Sequence, residues 1–97
     1  MDRKTLGEET AGVSFNSKKE ELAFYMAKSH IDKLFYEHVP PDKHKSLERV
    51  ISRNGNGLFD VDFKRNGFLV KDKYYGNLKN WYAGLLNTEF QYHFQKL

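Results

Sequence analysis

The chain has 97 residues and a formal charge of +3; 39% of its residues are hydrophobic, 15% are aromatic and none is cysteine. That length supports one domain with one core, in which a few rings dominate burial, each removing about 150–250 Å² from water. Without thiols there is no disulfide scaffold or thiolate metal site, no apolar run reaches the roughly 18–20 residues of a membrane span, and the first residues lack an apolar signal core, so a cytoplasmic protein without a membrane partner is expected.

Residues 1–16 are polar, rich in Gly and Thr, and without periodicity. They are expected to form a flexible arm, with Val13 and Phe15 docking on the core of a single α+β domain over residues 17–97. Ser17 and Glu20 make a capping box that opens a helix, and Pro40-Pro41 stops it near His38. Its apolar stripe is Ala23, Phe24, Ala27, Ile31, Leu34 and Phe35. Lys18, Glu21, Lys28, Ser29, Asp32 and Lys33 lie opposite, and Tyr25 and Tyr36 fall on the polar side.

Pro41 or Asp42 is expected to open a second helix running to about Arg53, with Leu47, Val50 and Ile51 buried. Asn54-Gly55 stops it. The stretch from Phe59 to Tyr75 then reads as a β-hairpin turning at Asn66-Gly67, the favoured pair for a type I′ turn. That register sets Phe63 against Val70, Asp62 against Lys71 and Asp60 against Lys73. It leaves Lys64-Arg65 as a basic tip, with Phe59, Val61, Phe63, Phe68, Val70 and Tyr74 on one face. Asn77 is a candidate cap for a third helix to about Leu86. The tail reads two ways: Phe90 and Phe94 fit one helical face, while Phe90, Tyr92 and Phe94 alternate with Gln91, His93 and Gln95, which slightly favours a third strand beside the hairpin. The expected class is α+β, ordered helix, helix, β-hairpin, helix, with an antiparallel sheet packed on helices and a possible C-terminal strand.

Catalytic chemistry finds little footing in this pattern. His30, His38, His44 and His93 are not spaced as helical metal ligands, and His38 falls on the apolar stripe of the first helix. Cross-strand lysines account for Asp60 and Asp62. Gly55-Asn56-Gly57 lacks the strand–loop–helix context of a phosphate loop, and no nucleophile elbow occurs. No enzyme, cofactor or metal is expected.

Two binding roles remain. Residues 41–73 carry eight Lys/Arg against five Asp/Glu, whereas residues 1–40 carry six against seven. A helix followed by a basic-tipped hairpin resembles the second half of a winged helix. Lys43, Lys45, Arg49, Arg53, Lys64 and Arg65 would then meet DNA or RNA. The favoured role is a small regulator or inhibitor that occupies a protein partner's surface, with Tyr25, Tyr36 and Tyr75 as anchors beside Lys64 and Arg65. Twelve Lys to four Arg, with seven Asn, fits the AT-rich coding of phages and mobile elements.

Overall fold

The computed structural model describes residues 13–97. Most of the predicted arm lies outside that range, but Val13 and Phe15 do dock: both are half-buried, and the Phe15 ring lies 5.2 Å from that of Phe24. Helix α1 (Lys18–His38) starts and stops where its local signals place it. The Ser17 hydroxyl accepts from the Glu20 amide at 3.2 Å, while the Glu20 carboxylate accepts from the Asn16 amide at 2.8 Å. The apolar stripe is buried as expected, with Leu34 at its edge. His38 is exposed and meets Trp81 edge-on, so it is a surface residue rather than a core one.

The second helix is a single turn, α2 (Pro41–His44). Residues expected to extend it form a strand instead, β1 (Leu47–Arg53), after Ser46 turns the chain through a left-handed conformation (φ 57°). The spacing of Leu47, Val50 and Ile51 fits a helix, yet the face turned to the core is Leu47, Arg49, Ile51 and Arg53. Two inward arginines hide the two-residue period from a hydrophobicity reading. The adjacent β-branched pair Val50-Ile51 suits the strand.

β1 pairs antiparallel with β2 (Phe59–Arg65), and β2 with the two-residue β3 (Phe68–Leu69), in the order β1-β2-β3. The hairpin turn is as expected, with Asn66 at φ 55° and Gly67 at φ 84°. The Val70 amide donates to the Phe63 carbonyl at 2.9 Å, which sets the expected register. The ladder then ends, and the Asp62–Lys71 and Asp60–Lys73 pairs do not form. Asp72 caps helix α3 (Lys73–Lys96), its carboxylate accepting from the Tyr75 amide at 3.1 Å. Asp62 instead meets Lys79 of α3 at 3.1 Å.

Helix α3 therefore begins before Asn77 and runs through the tail expected to be a strand. Phe90 is buried against Phe59 (5.1 Å between centroids) and stacks on Phe94, so the helical spacing of these rings prevails over their alternation. The third strand of the sheet is β1, not the C-terminus. Beyond β3, α3 covers the open edge of β2. The Asn87 side chain accepts from the Phe59 amide at 2.8 Å and donates to the Phe59 carbonyl at 3.1 Å, standing in for a neighbouring strand.

α1 and α3 run antiparallel as one layer, with Tyr82 beside Asp32, Glu89 beside His30 and Phe94 beside Lys19. The sheet is the second layer. Between them Phe24 meets Phe59 at 5.0 Å, Phe35 meets Phe63 at 6.0 Å, and Phe63 meets Tyr75 at 6.2 Å. Such ring pairs add roughly 0.5–1.5 kcal/mol each beyond burial. The expected architecture, helix, helix, hairpin, helix with an antiparallel sheet packed on helices, is thus found. Among the described residues no helix is long and apolar enough to cross a membrane.

A charged cluster ties the layers together. Lys28 and Asp32, placed by periodicity on the wet face of α1, are buried and half-buried. Asp32 accepts from Lys28 Nζ at 2.8 Å and from the Tyr82 hydroxyl at 2.5 Å, and lies 3.6 Å from Arg49 Nε. Arg49, 2% exposed, stacks its guanidinium over Phe35 at 4.8 Å and Tyr36 at 5.1 Å. Burial pulls its pKa down, but Asp32 and the oxygens of Tyr82 and Tyr36 outweigh that, and the net direction is upward.

Replacing Asp32 by Asn leaves Arg49 and Lys28 buried beside a neutral group. Urea unfolding should show a loss of about 3 kcal/mol or more, the scale for breaking a buried ion pair. Glu20 supplies a pH signature. The Asn16 amide, and after it Arg53, hold its carboxyl below the ordinary 4.5 despite some desolvation. On acidification the unfolded chain takes up that proton first, so Glu20 stabilises the fold above this range and loses its contribution as pH falls through the folded value. The stability gap between wild type and Glu20→Gln should accordingly narrow below about pH 4.5.

Candidate interaction surfaces

The arginines expected at a nucleic-acid interface serve the fold. The inward side of the sheet carries Arg49 and Arg53 on β1 and Arg65 on β2, each against an aromatic ring. Arg49 is enclosed as described. Arg53 Nη1 donates to Glu20 at 3.0 Å and to the Ser14 carbonyl at 3.1 Å, with its guanidinium over Phe59 at 5.0 Å and Phe90 at 5.3 Å. Arg65, expected at the tip, folds back. Its Nη2 donates to the Lys43 carbonyl at 2.6 Å and the Tyr75 hydroxyl at 3.2 Å, and its Nε donates to the Lys45 carbonyl at 3.1 Å. Tyr75, expected to be an exposed anchor, is buried, and its hydroxyl donates to the same Lys43 carbonyl at 2.8 Å. These bonds pin the end of α2 to the turn end of the hairpin and the start of α3.

With residues 47–53 in a strand, there is no recognition helix, and the winged-helix layout does not arise. The lysines stay outside. Lys45 is exposed, Lys64 is half-buried opposite Glu48, and Lys43 lies 5.0 Å over the Tyr74 ring. Sequence reasoning missed the residue beside them. Phe68 shares the core-side face of the hairpin with Phe63 and Val70, as its register implies, yet it is 77% exposed. It pairs with Arg65, the last residue of β2, and so projects past the end of the helical layer.

A second surface lies on the outer side of the helix pair. Tyr25, Met26 and His30 of α1 and Glu89, Tyr92 and His93 of α3 line an open groove. Met26 is 39% exposed and Tyr92 56%. At its centre the Glu89 carboxylate stands between two imidazoles, 3.1 Å from His30 Nδ1 and 3.2 Å from His93 Nε2. Of the expected anchors, Tyr25 belongs to this groove. Tyr36, half exposed, does not: its hydroxyl accepts from Arg49 Nη2 at 3.3 Å on another side of α1. The facing histidines were invisible in the sequence because helix phase against α3 depends on packing. Among the described residues no group of His, Asp and Glu is arranged to hold a metal ion.

No family model, curated protein or solved structure matches the chain. The surfaces themselves are what bears on function.

The split between inward arginines and outward lysines can be measured at the hairpin. Arg65→Lys should lower stability by about 1–2 kcal/mol, because a point ammonium does not reproduce the planar fork whose Nε and Nη2 reach Lys43, Lys45 and Tyr75. Lys64→Ala should stay within about 0.5 kcal/mol of wild type in the same thermal unfolding assay.

Proposed function

We propose that the chain is a small non-enzymatic binding protein, a regulator or inhibitor that acts by occupying the surface of a protein partner. The supporting observation is the α1–α3 groove, where Met26 and Tyr92 stay exposed on two helices that bury their other faces in one core. Apolar side chains gathered in a groove with a polar rim are characteristic of interaction sites rather than of free surface. Two antiparallel helices offer a natural seat for an amphipathic helix of the partner, whose apolar stripe would fill the space between Tyr25, Met26 and Tyr92. Glu89, held between His30 and His93, presents a charged group to orient the incoming segment. Tyrosines suit the role, giving large contact area with few torsions to freeze.

The test is co-purification of a tagged chain from the cells that make it, beside a Met26→Glu/Tyr92→Glu variant of unchanged thermal midpoint. The reading expects a protein that accompanies the wild type at stoichiometric yield and is lost from the variant. A partner retained equally by the variant would place the interface elsewhere on the molecule.

A further inference from the structure

The hairpin end is a surface separate from the groove, and its chemistry differs. Phe68 is the most exposed large apolar side chain described, at 77%, with Leu69 next to it. It stands on a two-residue turn whose backbone is set by Asn66 and Gly67, and whose base is clamped by Arg65 to the Lys43 and Lys45 carbonyls. The same clamp holds the chain that carries Lys43 and Lys45 beside the hairpin. Lys64, Lys71 and Lys73 flank it in sequence, and Tyr74 is partly exposed under Lys43. Five lysines thus stand against Asp42, Glu48 and Asp72, and the Asp72 carboxylate is occupied in capping α3.

We infer that this end binds single-stranded nucleic acid, with Phe68 stacking on an unpaired base, Lys43 and Lys45 contacting phosphates beside it, and Lys64 contacting the strand from the opposite face of the hairpin. A projecting ring amid lysines is the composition of a single-strand contact, where bases stack on aromatic side chains and cations follow the backbone. A protein partner fits less well, since lysine is depleted from the centres of protein interfaces. A duplex fits less well too. The segment expected to enter its major groove is the strand β1, a phenyl ring has no donor for a base edge, and the arginines that would grip guanine are turned inward. Stacking is indifferent to base identity, so binding should be tolerant of sequence. The inference is independent of the α1–α3 groove and of what occupies it.

Fluorescence anisotropy with a labelled mixed-sequence 20-nucleotide strand, its duplex, and anionic phosphatidylserine vesicles as a third probe tests this between about 25 and 200 mM salt. The wild type should bind the single strand in the micromolar range and more tightly than the duplex, with a logarithmic salt slope of about −2 to −3. Phe68→Ser should weaken single-strand binding about tenfold at an unchanged slope. Each of Lys43→Ala, Lys45→Ala and Lys64→Ala should reduce the slope by about 0.7. Phe68 is exposed, so its variant keeps the fold, which circular dichroism melting checks. Three outcomes overturn the inference: no single-strand binding at the lowest salt, equal binding of strand and duplex with no effect of Phe68→Ser, or Phe68-dependent binding of vesicles alone.

Discussion

The guanidinium of Arg49, enclosed by Phe35, Tyr36 and Tyr82 and facing Asp32, is the interaction on which the rest of the arrangement turns. It connects β1 to α1 and α3 at once, and it sets the strand's register. A slip of one residue would carry Arg49 to the solvent face and turn Glu48 and Val50 inward, taking from Asp32 the cation on β1. An apolar side chain of similar size could fill the space with comparable stability, as buried ion pairs often return little net energy. What the charge supplies is a single satisfactory position for β1, because a misplaced buried cation is costly where a misplaced leucine is not.

The same logic sorts all the described cations. Arg49, Arg53 and Arg65 turn inward, each stacked on a ring and sharing its donors among carboxylates, hydroxyls or backbone carbonyls. A weakly hydrated planar guanidinium tolerates that environment, whereas the compact ammonium of lysine keeps its water. Lys28, which reaches Asp32 within one turn, is the buried exception. Among the described residues the exposed positive charge is therefore lysine. It is concentrated around the hairpin, where the arginines act as anchors beneath it.

Two dissimilar surfaces result, one on the outer side of the helix pair and one at the hairpin turn. The groove between α1 and α3 is aromatic and centred on a carboxylate between imidazoles. The hairpin end is cationic and carries one projecting ring. Both exist because the helix layer is covered on one side only: the sheet takes its inner face, the outer face is left to solvent, and the hairpin extends beyond it.

Features held by contacts within a few residues were legible in the amino-acid sequence alone. Ser17 caps α1 through Glu20, Pro40-Pro41 ends it, and Asn66-Gly67 turns the hairpin, because each depends on hydrogen bonds or steric limits between near neighbours. The sequence likewise determined the helix, helix, hairpin, helix order. Tertiary structure alone decided the rest. Residues 47–53 fit a helix or a strand by spacing, and partners in β2 and α1, far along the chain, chose the strand. Alternating aromatics at 90–94 became helix because Phe90 met Phe59 and Arg53. Asp72 rather than Asn77 opened α3, which ended the hairpin ladder early and left Phe68 in the open. Whether an arginine grips a partner or props a wall is likewise absent from local pattern, since the rings and carbonyls that hold Arg49, Arg53 and Arg65 come from segments brought together only by packing.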